Sequence, residues 1–315
     1  MIKSNPFKYS DDNKRYHTLN YHYKKKFNNK VFKVVLDAGF SCPHIKNGVG
    51  GCTFCSIRGS GDFTLNASVA LNKQYEHQKQ IMLRKWPQGQ PIAYFQAFTN
   101  TYAALDTLKI IYDPFYENQY DNLGVALGTR ADCLSDATIA YFDQQARGKP
   151  TTIEIGVQSI HERTNQIINR GHGLDVVEKI LKQCATKQFD VVLHLINGLP
   201  YEDKAMMLES AKWVARQPVA GVKIHMLHLL KGTKMANDYL KNPFDLLSME
   251  QFIDIVIGQL EVLPPEMVIH RLTGDGLVDD LIGPLWTIKK RVVLNNLDKE
   301  MVKRNTYQGK YHASY

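Results

Sequence analysis

Three cysteines stand close together near the start of the chain, in the run Cys42-Pro43-His44-Ile45-Lys46-Asn47-Gly48-Val49-Gly50-Gly51-Cys52-Thr53-Phe54-Cys55. Their spacing is C-x9-C-x2-C. Three thiolates on one glycine-rich loop can hold three irons of a [4Fe–4S] cluster and leave the fourth iron open to another ligand. Gly48, Gly50 and Gly51 let the main chain wrap closely around such a core. The same residues suit a zinc site in which His44 joins the three cysteines, or three unrelated buried thiols. Cys184 falls in a helical stretch and reads as core, whereas Cys133 falls in a loop after a strand. Five cysteines is an odd number. In a cytosolic chain, cysteine serves ligation or catalysis more often than disulfide formation.

The elements that must position this loop follow from the rhythm of apolar residues. Residues 31–36 are short, β-branched and apolar, and predict a strand ending just before the cysteine loop. Further strands are predicted over 91–98, 123–127, 152–157, 191–196 and 222–230, separated by helices over 67–86, 105–120, 136–147, 174–187 and 205–216. Six such steps of strand and helix argue for a parallel sheet covered by helices. The expected fold is α/β, an incomplete (βα)6 TIM-like barrel over residues 31–235. A basic arm over 1–30 precedes it, and an extension over 236–315 follows, with one more helix at 249–263. Polar or glycine-rich segments follow each strand, at 42–55, 99–102, 129–132, 158–159, 197–200 and 231–233. Chemistry in barrels of parallel strands sits at that carboxyl-terminal rim, so the pattern reads as an enzyme.

The 315 residues suffice for a large core, and 44% hydrophobic with 22% charged residues is ordinary for a soluble globular protein. No run of about 18 apolar residues suggests a membrane span, and the polar amino terminus has no apolar signal region, so a cytoplasmic protein is expected. The net charge is +8 and is uneven. Residues 1–36 carry +7 (nine Lys/Arg, two Asp) and residues 286–315 carry +5 (seven Lys/Arg, two acids), which leaves −4 for the middle. Lys24, Lys25 and Lys26 at one end, and Lys289, Lys290 and Arg291 at the other, stand among aromatic residues. They read either as a polyanion-binding surface or as two solvated tails. As a binding surface they are expected to flank the open rim and contact nucleic-acid phosphates.

The cysteine loop, with Leu36-Asp37-Ala38-Gly39-Phe40-Ser41 before Cys42, resembles that of radical S-adenosylmethionine (SAM) enzymes with an enlarged first gap. It is similar to a bacterial family related to the catalytic subunit of elongator and to oxygen-independent coproporphyrinogen oxidase. Gly128-Thr129-Arg130-Ala131-Asp132 resembles the third-strand motif of the elongator subunit. Glu154–Ser159 with Asn169–His172, and His194–Pro200, resemble the fourth- and fifth-strand motifs. His270-Arg271-Leu272-Thr273-Gly274-Asp275-Gly276 is characteristic of the family itself. The resemblance covers nearly the whole chain. It implies a [4Fe–4S] cluster on Cys42, Cys52 and Cys55, whose open iron chelates SAM. It further implies that Phe54 meets the adenine, that Gln158 and Arg170 contact the ribose and methionine ends, and that Arg130 lies in the cofactor site. Arg170 would offer a bidentate fork to the methionine carboxylate. The glycine-rich motif that usually follows the second strand is replaced by Gln96–Tyr102, so Gln96, Thr99 or Asn100 would take over the contact to the SAM amino group. His194 stands where the coproporphyrinogen oxidase relative has an acid.

Three activities compete. The first is a tRNA-modifying radical enzyme that removes the carboxymethyl part of a carboxymethylaminomethyl group on the wobble uridine, leaving aminomethyl. It would be reduced by a flavodoxin or ferredoxin. The second is a radical enzyme for a small metabolite such as a porphyrinogen. The third is a non-enzymatic zinc-bearing RNA-binding protein. Salt separates them, because binding to a polyanion weakens steeply as salt rises.

Overall fold

The computed structural model describes residues 5–48, 50–59, 61, 64–274 and 278–312. Asp275 and Gly276 of the family motif lie outside the described residues, as does Val49 of the cysteine loop. The chain runs α1 (Leu19–Phe27), β1 (Val31–Leu36), α2 (Pro43–Lys46), α3 (Leu71–Lys85), β2 (Gln90–Phe95), α4 (Leu105–Tyr116), β3 (Val125–Thr129), α5 (Asp136–Ala146) and β4 (Thr151–Gln158). It continues through α6 (Glu162–Ile167), α7 (Leu174–Cys184), β5 (Asp190–Asn197), α8 (Lys204–Ala215), β6 (Gly221–Met226) and β7 (Leu229–Leu230). It ends with α9 (Lys234–Lys241), α10 (Met249–Val262), β8 (Val268–Arg271), β9 (Leu281–Gly283) and α11 (Lys290–Lys303).

The incomplete barrel expected from the sequence is present. Among the described residues the main sheet has seven strands in the order β1-β2-β3-β4-β5-β6-β8, all parallel. Six strand–helix steps are followed by a seventh strand, from the segment read as an extension. The strand expected over 222–230 stops at Met226. Its neighbour β5 ends at Asn197, where Gly198 turns away with φ 84°, and the ladder loses its partner. Residues 229–230 pair instead with β9, antiparallel.

The strands have two different faces. Val34, Leu36, Phe95, Leu127, Ile153, Ile155, Leu193, Val222 and Ile224 point outward and pack under the helices. Helix α7 shows why those helices form: its buried residues Val177, Ile180, Leu181 and Cys184 recur at helical spacing on one stripe. Cys184 is therefore core, 3% exposed. The alternate residues of the strands, among them Lys33, Tyr94, Glu154, His194 and Lys223, face the lumen.

Among the described residues, the segments near both ends of the chain are folded rather than loose tails. Thr18 caps α1 by accepting a hydrogen bond from the Tyr21 N–H. Tyr23, Leu19 and Phe27 of that helix pack against Val31, Ile92, Tyr94 and Ala126, closing the amino-terminal end of the barrel. The first residues are also knit to the last. Arg15 donates to the Thr306 carbonyl, Gln308 accepts from the His17 N–H, and Lys14 pairs with Asp298.

Candidate active site

The cysteine loop leaves β1 at the carboxyl-terminal rim. Cys42 precedes α2, whose first position is Pro43, and the Cys55 N–H bonds back to the Cys52 carbonyl at 3.0 Å. Gly48, Gly50 and Gly51 all have φ between 72° and 87°, a range that side chains with a Cβ rarely adopt. Three contacts from distant segments seat the loop: Thr53 N–H to Ile168 O (2.9 Å), Met235 N–H to Thr53 O (2.8 Å) and Asn169 Nδ2 to Gly51 O (2.8 Å). His44 is buried, its ring against Gly171, where an added Cβ would fall 1.6 Å from Nε2. A hydrogen bond from Cys55, with help from His44 and Arg130, pulls the Cys52 thiol well below its usual range. The same contact, with burial, pushes Cys55 up. This donor set suits an electron-poor iron centre, which binds thiolate. Among the described residues, no three His, Cys, Asp or Glu side chains converge as they would on one metal ion.

The three cysteines line a cavity of about 1150 Å³, its open mouth included, that continues down into the lumen. Phe54, Gln96, Arg130, Gln158 and Arg170 all reach it. Gln158 does so from a left-handed conformation, φ 65°, at a bulge between β4 and β5. Its amide lies over Gly156, where a Cβ would sit 2.6 Å from Nε2. Such strain in a non-glycine residue is tolerated where it aims a side chain into a site. Arg130 chelates Asp132 (Nε–Oδ1 2.9 Å, Nη2–Oδ2 2.7 Å) and donates to the Arg170 carbonyl, and so presents a fixed charge beside the cysteines.

Three expectations need correction. The Arg170 guanidinium does not offer a fork to a carboxylate. It is 2% exposed and donates to the carbonyls of Val157 (2.6 Å), Ser159 (3.1 Å) and His172 (3.1 and 3.0 Å), bonds that occupy four of its five N–H groups. It locks the end of β4 to the loop that seats the cysteines. Asn100 does not reach the cavity. Fully buried, it donates to the carbonyls of Phe95, Ala97 and Gly128 and accepts from the Tyr112 hydroxyl on its own carbonyl. Of the residues after β2, Gln96, Phe98 and Thr99 line the cavity, which leaves Gln96 and Thr99 as the polar candidates. Finally, Lys24, Lys25 and Lys26 do not flank the open rim. They lie on the helix that closes the opposite end, with Lys26 3.8 Å from Asp190, the first residue of β5. Lys24 pairs with Asp11 at 2.7 Å. The second basic group is placed differently. Lys289 and Arg291 are exposed, and Lys290 lies near Arg271, a cavity residue. Burial first, then the charges of Arg271 and Lys85, lower Lys290 to about 8.

A signature of the radical SAM superfamily matches residues 42–214, beginning at the first cysteine, and one of the radical SAM C-terminal domain matches residues 219–303. The chain belongs to the radical SAM superfamily. Members bind a [4Fe–4S] cluster and SAM, and the three thiols and the cavity beside them fit that pair. An uncharacterized protein of Bacillus subtilis, YtqA, is 45% identical over 313 residues, which cover 99% of this chain and 97% of that one. Elongator complex protein 3 of Saccharomyces cerevisiae is 26% identical over 156 residues, 49% of this chain and only 28% of that one. The solved structure of archaeal Elp3 from Methanocaldococcus infernus superposes with a TM-score of 0.60 at 15% identity, covering 89% of this chain and 64% of that one. That likeness concerns the fold.

Below the cysteines, this radical SAM barrel holds a layer of polar residues that the site expectations left out. Glu154 is fully buried at its centre. Its Oε1 accepts from Lys33 Nζ (2.7 Å), and its Oε2 accepts from the Tyr94 hydroxyl (2.7 Å), His194 Nε2 (3.1 Å) and Lys223 Nζ. Burial alone would raise the Glu154 carboxyl, but Lys223 and Lys33 hold it well below the usual carboxylate range. Burial keeps His194 neutral, at about 4, so its Nε2 carries the donated proton. The signal in the sequence was a charged or imidazole residue within each of several apolar strand runs, such as VFKVVL and TTIEIGVQ with one each and GVKIHM with two. Such residues are seldom buried unless paired or functional.

Proposed function

We propose that this radical SAM enzyme modifies tRNA in the cytoplasm, converting the 5-carboxymethylaminomethyl group of the wobble uridine to aminomethyl, with a flavodoxin or ferredoxin as electron donor. The observation that carries the reading is the placement of charge. Lys290 feels the charge of Arg271, which lines the cavity that leads to the cysteines, and its exposed neighbours Lys289 and Arg291 offer further positive charge to a polyanion whose nucleotide is to enter. When bound, the cluster and SAM would supply a 5′-deoxyadenosyl radical able to take a hydrogen atom from the carboxymethyl carbon beside the amine; return of one electron from that carbon to the cluster gives an imine, and its hydrolysis by water releases the carboxymethyl group as glyoxylate and leaves aminomethyl. Cys42, Cys52 and Cys55 hold the iron. Phe54, Gln96 and Gln158 orient SAM against the cavity wall, and Arg130 balances charge beside the thiolates. A stacked base cannot reach that depth, so the wobble nucleotide enters extruded.

The test is anaerobic reconstitution with iron and sulfide, then dithionite and SAM, with 5′-deoxyadenosine and tRNA nucleosides measured with and without tRNA bearing the carboxymethylaminomethyl group. The expected result is 5′-deoxyadenosine formation stimulated by tRNA, the stimulation shrinking as salt rises, together with new aminomethyluridine. Turnover indifferent to tRNA but driven by a porphyrinogen or another small carboxylate would overturn the reading. That small-metabolite alternative draws on one observation of its own, the closed cationic lumen.

A further inference from the structure

His225 of β6 stands in the cavity wall between the Glu154 layer and the cysteines. Lys223 and His225 alternate along the strand with Val222 and Ile224, which pack under the helices, and both line the cavity. In the register of β5 and β6, Lys223 lies opposite His194 and His225 lies opposite Ile196. His225 is therefore two residues, roughly 6–7 Å, nearer the rim than the Glu154 layer. Its ring stacks on that of His194 with centroids 5.7 Å apart, and His194 is tied in turn to Glu154 through Nε2. The His225 Nε2 is buried with no hydrogen-bond partner among the described residues. Buried polar atoms are nearly always paired, so an orphan in a cavity wall calls for a partner that the chain does not supply. His172 also lines the cavity with an orphaned Nε2, but it belongs to the rim loop that seats the cysteines. His225 lies deeper, where a substrate would meet it.

Burial, and after it the neighbouring Arg271, His194, Lys223 and His228, hold the His225 imidazole well below its ordinary range. It is thus neutral at pH 7, and one ring nitrogen keeps a free lone pair. Other acceptors at this depth are taken. A carboxylate has about four lone-pair sites, and Glu154 already accepts from Lys33, Tyr94, His194 and Lys223. Ile196, opposite His225, is apolar. We propose that His225 is a substrate-contacting residue, whose imidazole accepts a hydrogen bond from a substrate N–H beside the carbon that loses hydrogen and so turns that carbon toward the cofactor end of the cavity. Glu154 and His194 then act as positioning residues, the first holding the second and the second backing the His225 ring. The inference rests on the proposed function only in naming the N–H as that of the secondary amine in the carboxymethylaminomethyl group. Such an amine carries an N–H whether or not it is protonated, so the contact holds in either state.

The experiment titrates 5-carboxymethylaminomethyluridine and 5-(3-carboxypropyl)uridine, in which a methylene replaces the amine, into the cluster-loaded protein with SAM, by anaerobic calorimetry. His225→Phe, which keeps a ring to stack on His194, should weaken the amine nucleoside about 10-fold, as expected for loss of one hydrogen bond. The methylene nucleoside should bind it as it binds the wild type. His225→Ala, which adds no bulk, should show the same selective loss, and His225→Gln, which keeps an acceptor, should retain part of the amine affinity. The unfolding midpoint of His225→Phe without cluster or SAM should match or exceed that of the wild type, because no bond within the chain is lost and a buried orphan is removed. Equal losses for both nucleosides, as a packing role would give, or no loss for either, would overturn the contact. So would wild-type turnover of tRNA by His225→Phe, and the tRNA reading would then stand without it. A wild type that leaves tRNA unmodified and binds a porphyrinogen instead would remove the tRNA reading. Pyrrole N–H groups would use the same acceptor, so weaker porphyrinogen binding in His225→Phe would then uphold the contact, and unchanged binding would overturn it as well.

Discussion

At the scale of single residues, the cysteine loop and its supports make separable claims. Cys42→Ala, Cys52→Ala and Cys55→Ala should each abolish stable iron binding, whereas Cys133→Ala and Cys184→Ala should retain it. Iron and acid-labile sulfide assays on anaerobically reconstituted protein check this. The reason is that three thiolates share the load of one cluster, and losing one opens an iron to solvent. Arg170 makes a different prediction from a ligand contact. With its donors on main-chain carbonyls, Arg170→Ala leaves those buried carbonyls unpaired and should cost on the order of 2–3 kcal/mol of stability. A lowered unfolding midpoint in the protein without cluster or SAM would report it. An unchanged midpoint with weakened SAM binding would restore the carboxylate fork.

At the scale of elements, the loop between α6 and α7 works as a seat for the cysteines. Asn169 holds Gly51, Ile168 holds Thr53, and Gly171, at φ 83°, leaves room for the His44 ring. Gly171→Ala combines a strained backbone with a clash against a buried ring. Reduced cluster occupancy is expected even though no ligand is changed, and iron content per chain measures it. Helix α1 acts at the other end, as a plug. Tyr23→Ala removes a buried aromatic from the closed end of the barrel and should destabilise the fold by about 3–5 kcal/mol. Iron content in the folded fraction should hold, and urea unfolding followed beside an iron assay separates the two effects.

Over the whole molecule, charge and pH sensitivity follow from where the polar groups lie. Burial lowers His194 and His228 to about 4, against 6.5 when exposed. Their folded pKa values are depressed, so the unfolded chain binds more protons between about pH 6.5 and 4. Stability is therefore full above about pH 6.5 and lost as pH falls toward 4, by on the order of 2 kcal/mol per histidine by pH 5. Urea midpoints at pH 7, 6 and 5 should decline, with a shallower decline in His228→Gln; a flat profile would contradict the buried neutral imidazoles. The two basic groups should separate in the same way. Reversing Lys289, Lys290 and Arg291 should weaken tRNA binding more than reversing Lys24, Lys25 and Lys26, and the difference should shrink as salt rises. Filter binding at two salt concentrations reads it, and a larger effect at Lys24–Lys26 would place the RNA on the closed end.

Much of the barrel was written in local pattern. The alternation of apolar strands with amphipathic helices is a short-range property of side-chain spacing, and it fixed the βα order and the rim where the loops gather. The three cysteines were legible for the same reason: ligands within one loop keep their spacing in sequence. What lay beyond the sequence depended on which distant residues meet. Nothing local shows that four N–H groups of Arg170 are spent on carbonyls, or that Asn100 turns inward among Phe95, Ala97 and Gly128. Nor could the run of lysines at 24–26 reveal that its helix folds under the barrel, because charge composition carries no direction. The Glu154 layer is the clearest case. Lys33, Tyr94, Glu154, His194 and Lys223 come from five strands spread over about 190 residues, and each alone is an oddity in an apolar run. Only the register of the parallel sheet turns them to one side at one level, where they become a single charged site.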